Sequence, residues 1–485
     1  MASSSPSDGG SKLPLKSIPG TYGLRFFGAI SDRHDYFYRQ GRDKFFSSRI
    51  QKYNSTVFRT NMPPGPFISS DSRVIAVLDA ISFQILFDNP KVEKRNVLDG
   101  TFMPSTAFTG GYRVCAFLDT SEPSHALFKS FYLHFLASQH HNFIPLFRDC
   151  LSELFAGLDD KFSDKGKVSF NTFSDKMSFD FVFRLLCGPN SDPKNTELGS
   201  NGYKLFEIWL AVQLAPLGSL GLPKIFNYVE DFLLRTLPLP AWMVKSDYKK
   251  LYHAFSKAAS ATLDEAERFG LKRDEACHNL VFMAGFNAYG GFKSQFPILM
   301  KWVGSAGAGL HKDLADEIRA IVKAEGGITF ASLEKMTLTK SVVYEALRIE
   351  PTVPYQYAKA REDLVIQSHD ASYEIKKGEM IFGFQPFATK DPFVFENPEL
   401  FVGHRFVGEG DKLLKYVYWS NGRETEEPSK DNKQCPAKNL VVLLCRIMLV
   451  EFFLRYDTCT VDVGKSSSNL GASVTFTSLT KSSSH

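Results

Sequence analysis

The chain has 485 residues, a formal net charge of +4, 44% hydrophobic and 23% charged residues. These proportions are those of a globular protein and exclude an extensively disordered chain or a membrane-helix bundle, while so small a charge leaves no footprint for nucleic acid. The length allows one large domain or two or three ordinary ones, with ample material for a core. The 44 Phe stand out and suggest wide apolar cavities or a greasy ligand. Seven cysteines, an odd number without CxxC spacing, fit free thiols in a reducing compartment.

Residues 1–12 read as a flexible polar tail with no apolar signal core, and no apolar run is long enough to cross a membrane. The tail is Ser-rich but has no arginine before Arg25, which argues against a plastid transit peptide. The expectation is therefore a cytoplasmic chain, or one peripheral to membranes or lipid bodies, without a transmembrane anchor. Pro63-Pro64-Gly65-Pro66 blocks a helix, and the short runs Thr56–Arg59, Phe67-Ile68 and Val74–Val77 predict a small sheet-bearing lobe. Residues 99–113 have the composition of a long loop. Helical periodicity then runs from Ser121 to Lys161 and near 171–187, 202–217, 225–236 and 247–269. With no internal repeat and no linker, residues 13–480 read as a single domain, mainly α with small β-sheets, and residues 481–485 as a C-terminal tail.

Residues 271–304 form the most apolar long helix and contain Gly285, Gly290 and Gly291. Each costs about 1 kcal/mol against alanine in a helix, so something needs close approach to that backbone: a flat cofactor against one face, or a kinked packing contact. Residues 332–349 form an amphipathic helix stopped by Pro351, with Glu345 and Arg348 at i,i+3 on one face. Alone, such a pair also fits a solvated surface bridge. Tyr373 to Phe384 reads as a hairpin through Lys377-Gly378, and Arg405 follows in a proline-punctuated loop.

Near the C-terminus, Cys435 precedes the apolar helix that starts at about Asn439, with Pro436 suited to a first turn. The helix dipole and the flanking Lys433 and Lys438 favour a thiolate there. A thiolate so held suits an axial haem-iron ligand; an ordinary buried cysteine is the alternative.

Taken in order, the glycine-interrupted helix, Glu345-x-x-Arg348, Arg405-Phe406 and Cys435 before the last long helix resemble a cytochrome P450. The departures matter as much. The usual Ala/Gly-Gly-x-acid-Thr of oxygen-activating members is here Ala284-Gly285-Phe286-Asn287-Ala288, so neither proton-relay group is present. In the cysteine loop, Pro428, Asp431 and Ala437 replace a phenylalanine and two glycines, and Lys433 stands for an arginine. Together with Pro63–Phe67, Thr109–Arg113, Phe286–Gly291, Leu338–Glu345, Gln385–Pro392 and Tyr418–Gly422, this pattern resembles the plant fatty-acid-hydroperoxide branch: allene oxide synthases, hydroperoxide lyases and divinyl ether synthases.

The resemblance implies a P450 fold and haem b, with Cys435 on the iron and Lys94, His125, Lys129 and Lys433 at the propionates. Glu345, Arg348 and Arg405 become a buried triad holding the cysteine loop. Asn287 orients the hydroperoxide, with Phe286 and Lys293 at the substrate site, although Lys293 also fits a surface lysine. It further implies cleavage of a ready-made O–O bond without dioxygen or reductase. Where the synthases carry a phenylalanine that favours a cation, this chain has Leu98, within Asn96-Val97-Leu98-Asp99-Gly100-Thr101; an aliphatic group offers a cation no quadrupole. That substitution points to a hydroperoxide lyase acting on 9- and 13-hydroperoxides of linoleic or linolenic acid through a hemiacetal, giving aldehydes and ω-oxo acids. An allene oxide synthase is the nearest alternative. A helical interaction protein with a redox-sensitive Cys435 is the alternative from another class.

Overall fold

The computed structural model describes residues 13–98, 100, 102–465 and 471–482. The tail expected at 1–12, Asp99 and Thr101 of the Leu98 motif, and residues 483–485 of the C-terminal tail lie outside the described residues.

A helical body carries small sheets, as the sequence predicts. One sheet has five strands, ordered Val57–Asn61, Arg73–Val77, Met380–Phe384, Tyr355–Ala360, Val92–Glu93. Its central contact is parallel and joins distant segments, with Ile75 beside Ile381. In a second sheet Ala472–Lys481 pairs with Tyr456–Lys465 on one side and Val168–Ser169 on the other. The expected Lys377-Gly378 hairpin is not formed. Ser372–Ile375 pairs with Leu364–Gln367, whereas Met380–Phe384 enters the five-stranded sheet. The turn therefore hands the chain from one sheet to another, and Gly378 takes the positive φ of +86° that this needs.

Helix boundaries follow local chemistry. Pro123 opens Pro123–Ser138, where its missing N–H costs nothing. The predicted helix 121–161 is in fact two, since His140–Asn142 intervenes before Phe143–Lys165, which ends on left-handed Gly166. The 332–349 helix is likewise split at Met336, its first part Phe330–Lys335 opened by a capping box between Thr329 and Ser332. Helix Lys438–Arg455 is enclosed on all sides, with Leu444 through Phe453 buried, as its apolar character on every face requires. Much of the phenylalanine surplus goes into core pairs such as Phe147–Phe181, Phe292–Phe296 and Phe452–Phe476, rather than into cavity walls.

The central helix changes pitch. Arg273–Phe282 and Gly290–Ser305 are α-helical, but Met283–Tyr289 between them is a π turn. Such turns are rare, are costly in isolation and concentrate at functional sites.

Candidate haem and hydroperoxide site

Cys435 sits three residues before helix Lys438–Arg455, so Pro436 precedes the helix and does not occupy its first turn. The loop is held by its own amides: Cys435 N–H donates to Ser420 O at 3.1 Å, and Gln434 Nε2 to Arg423 O at 2.6 Å. Asn432 Oδ1 accepts from Ser429 N–H and Gln434 N–H. The flanking lysines behave otherwise than expected. Lys438 is buried, and its amine donates to Glu424 O and Glu426 O at 2.6 and 2.8 Å. Lys433 donates to Ala116 O and Leu118 O at 2.8 and 2.6 Å. Burial pushes the Cys435 thiol up, and what opposes it is the Ala437 N–H and the charge of Lys129. A metal ion, when bound, would supply the positive charge that favours the thiolate at Cys435.

Around this loop four basic groups converge: Lys94, His125, Lys129 and Lys433. Lys94 donates to Asn421 Oδ1 at 2.6 Å, and Lys129 donates to Asn432 O at 3.1 Å and to Gln434 O. None of the three ammonium groups forms an ion pair with a described residue. Burial, aided by the charge of Lys433, pulls Lys94 down to about 7 and His125 to about 4. Burial takes Lys129 down to about 8. His125 Nδ1 is buried without a hydrogen-bond partner. A surplus of buried cations with an orphaned ring nitrogen is a donor set made for anions. It fits the two carboxylates of haem, with Cys435 as the iron ligand.

Glu345, Arg348 and Arg405 do form the expected triad. Glu345 and Arg348 are 0% exposed. Arg348 donates to both Glu345 oxygens at 2.7 and 2.8 Å, and Arg405 Nε lies 3.0 Å from each. The remaining donors do not reach the cysteine loop. Arg348 goes to Thr389 O, Pro398 O and Leu400 O, and Arg405 to Glu396 O, Asn397 O and Leu400 O. The triad clamps the irregular segment 389–405, which in turn leads to Tyr418-Trp419 and the cysteine loop.

The segment 115–118 ties the cysteine loop to the central helix. Lys433 holds its carbonyls, Cys115 N–H donates to Asn279 Oδ1 at 2.8 Å, and Phe117 meets Phe282 edge-on at 5.5 Å. Phe282 stacks on Phe286 at 4.7 Å. Asn287 follows on the π turn, exposed, its carboxamide free of hydrogen bonds to described residues. At Gly285 the packing alternative holds: a Cβ there would lie 2.4 Å from Phe206 Cδ1 and 3.1 Å from Trp209, whereas Gly291 faces open space. Leu98 is half-buried against the main core. Lys293 is committed, donating to Asp175 and Glu207 at 2.6 Å each; neither carboxylate was singled out from the sequence.

Asp79, His369 and Asp391 also approach within 4.8 Å of one another. Their oxygens already accept from Ile81, Ser82, Ala80 and Phe393 N–H groups, so they cap turns and are not free to ligate.

A buried-cation cradle around a cysteine just ahead of a helix, tied through residues 115–118 to a π-turned central helix, is the arrangement of a haem-thiolate protein. A family model described as Cytochrome P450 matches residues 309–422. Over 472 residues the chain is 54% identical to "Allene oxide synthase 3" of Solanum lycopersicum, covering 97% of this chain and 96% of that one. It is 53% identical over 484 residues to "Allene oxide synthase 1, chloroplastic" of Solanum lycopersicum (99% and 89% covered). It is 50% identical over 455 residues to "Divinyl ether synthase CYP74D1" of the same plant (93% and 95% covered). The chain belongs to the cytochrome P450 family and, within it, to the plant fatty-acid-hydroperoxide branch, with haem as cofactor.

Two expectations change with this. The relatives' names support the allene oxide synthase alternative better than the lyase reading. The cytoplasmic location is overturned, because similar enzymes are named chloroplastic and point to the plastid. No helix among the described residues is long and apolar enough to cross a membrane.

Proposed function

We propose that this enzyme, a single domain over residues 13–480, dehydrates a fatty-acid hydroperoxide to an allene oxide in the plastid, using neither dioxygen nor a reductase. The observation that carries this reading is Asn287-Ala288 on the π turn. When bound, haem supplies a thiolate-ligated ferric centre that opens an O–O bond. The Asn287 carboxamide, free of hydrogen bonds to described residues, donates a hydrogen bond to the hydroperoxide oxygen and so orients it. An amide holds without titrating, and Ala288 offers no hydroxyl; a proton relay of the kind that dioxygen activation needs has no members here. The Phe282–Phe286 stack gives the acyl chain an apolar wall that excludes water. The buried cations Lys94, Lys129 and Lys433 with His125 would hold the propionates.

Peripheral contact with lipid is supported by helix Asn227–Arg235. Its charged Glu230, Asp231 and Arg235 are buried while Tyr228, Val229, Phe232 and Leu233 are exposed, an inverted distribution for a helix facing water alone.

A second reading, the lyase, rests on Leu98 where the resemblance expects a phenylalanine. Incubation with the 9- and 13-hydroperoxides of linoleic and linolenic acids, without NADPH, separates the readings. α-Ketols from allene oxide hydrolysis support the first reading and short aldehydes with ω-oxo acids the second. Turnover only with NADPH and a reductase would end both.

A further inference from the structure

The π turn needs an external hold, since each such bulge leaves the helix free to relax to regular pitch. That hold comes from helix Gly202–Leu214, which meets the turn at both ends. At the near end, Gly285 lets Phe206 lie where a Cβ would come within 2.4 Å of its ring. At the far end, fully buried Tyr289 stacks on Phe206 at 5.9 Å and donates its hydroxyl to Glu207 Oε1 at 3.1 Å. Lys293, one turn on from Tyr289 and on the same face, donates to the same Glu207 oxygen at 2.6 Å. Asp175, from helix Phe170–Cys187, takes the other side of the Lys293 amine at 2.6 Å. Asp175 is buried and its Oδ1 has no partner.

We propose that Glu207 is a positioning residue for Asn287: by gripping Tyr289 and Lys293 together, with Asp175 behind them, it fixes the rotation of the π turn and hence the aim of the Asn287 carboxamide. Lys293 then acts through the turn and does not touch substrate. This rests on the reading of Asn287 in the proposed function. Glu207 has the geometry of a grip because one oxygen serves two residues spaced i,i+4, Tyr289 at the end of the turn and Lys293 in the helix that follows. The aromatic contact fixes how far the two helices stand apart, and the carboxylate fixes how far the central helix is rotated. The remaining members divide the work. Phe206 and Gly285 set a distance and carry no direction, whereas the hydroxyl and ammonium donors are directional.

The test is a double-mutant cycle in the haem-loaded full chain: Glu207→Ala, Asn287→Ala and the pair, with Glu207→Gln as the isosteric control. Glu207→Ala alone should lower kcat about tenfold while KM stays within about twofold, and should reduce the spin-state change in the haem absorption band caused by an unreactive hydroxy fatty acid. In the Asn287→Ala background the same substitution should cost nothing further. Glu207→Gln, which keeps an acceptor oxygen, should recover most of kcat. If the two losses multiply in the pair, Glu207 is merely structural and the proposal fails. If Asn287→Ala alone turns over normally, the reading of Asn287 fails instead, which the cycle registers separately. Should Glu207→Ala not load haem, Lys293→Met tests the same grip: a full loss of turnover in the Asn287→Ala background, beyond the loss from Asn287→Ala itself, would equally refute it.

Discussion

Replacing Arg348 by methionine puts a fully buried, bidentate ion pair to the test. The guanidinium is fully buried, is bidentate to a fully buried Glu345, and supplies donors to the carbonyls of Thr389, Pro398 and Leu400. Removing one partner of such a pair costs about 3–5 kcal/mol. Three carbonyls also lose a donor, at about 1 kcal/mol each, but losses inside one network do not add. Glu345 keeps two bonds from Arg405 and one from Val402 N–H at 2.8 Å, which softens the loss. The net expectation is about 4 kcal/mol, a large share of the 5–15 kcal/mol of a typical domain. Unfolding entropy for a chain of this length is roughly 1 kcal/mol/K, so the thermal midpoint should fall by about 4 °C. Far-ultraviolet circular dichroism and the haem absorption band, followed together on heating, measure it. Arg405→Met, which leaves the bidentate contact intact, should cost less. A midpoint for Arg348→Met within about 1 °C of the parent, or a larger loss for Arg405→Met, would refute the argument.

The remaining expectations concern the site. Lys129→Met should speed haem loss to apomyoglobin by about tenfold or more, the worth of one charge-assisted hydrogen bond, with little change in circular dichroism. Equal rates would take Lys129 out of the cradle. Leu98→Phe should raise α-ketols at the expense of aldehydes in product chromatography, and an unchanged ratio removes Leu98 from the branch point. Burial, set against Lys293 and reinforced by Glu207, holds the Asp175 carboxyl up at about 6. A carboxyl raised above its unfolded value favours the fold while protonated, so its contribution is fully present below about pH 4 and is lost as pH rises through about 6. Tyr203, Tyr289 and Lys176 share this electrostatic environment. Asp175→Asn should therefore remove a fall in denaturant midpoint between about pH 4 and about 6; a parallel offset at every pH contradicts it.

What the amino-acid order made legible was local. Cys435 before an apolar helix and Glu345-x-x-Arg348 on one face are near neighbours in the chain, and both are found in the structure. What escaped depended on partners far along the chain. A lysine beside Cys435 reads in sequence as serving the thiolate, yet which carbonyls its amine finds is decided by loops at 115–118 and 424–426. The Lys377-Gly378 turn looks like a hairpin because strand pairing beyond the turn is invisible locally. Gly285 leaves cofactor and packing contact both open in sequence, because Phe206, the neighbour that decides it, lies about 80 residues away. Asp175 and Glu207 left one overlooked signal: Asp175 within Phe170–Cys187 and Lys293 within Gly290–Ser305 are opposite charges inside apolar helices, and buried opposite charges pair.

The five-stranded sheet also governs how this chain is made. The pair Val57–Asn61 and Arg73–Val77 leaves the ribosome early, but its inner edge is closed only by Met380–Phe384. Until that strand is synthesised, a row of apolar backbone positions including Ile75 and Ala76 waits with open N–H and C=O groups, a template for pairing with another nascent chain. Fragments ending before residue 380 will therefore be sticky whatever their helices do, and productive expression should reward slow, chaperone-sheltered synthesis over speed.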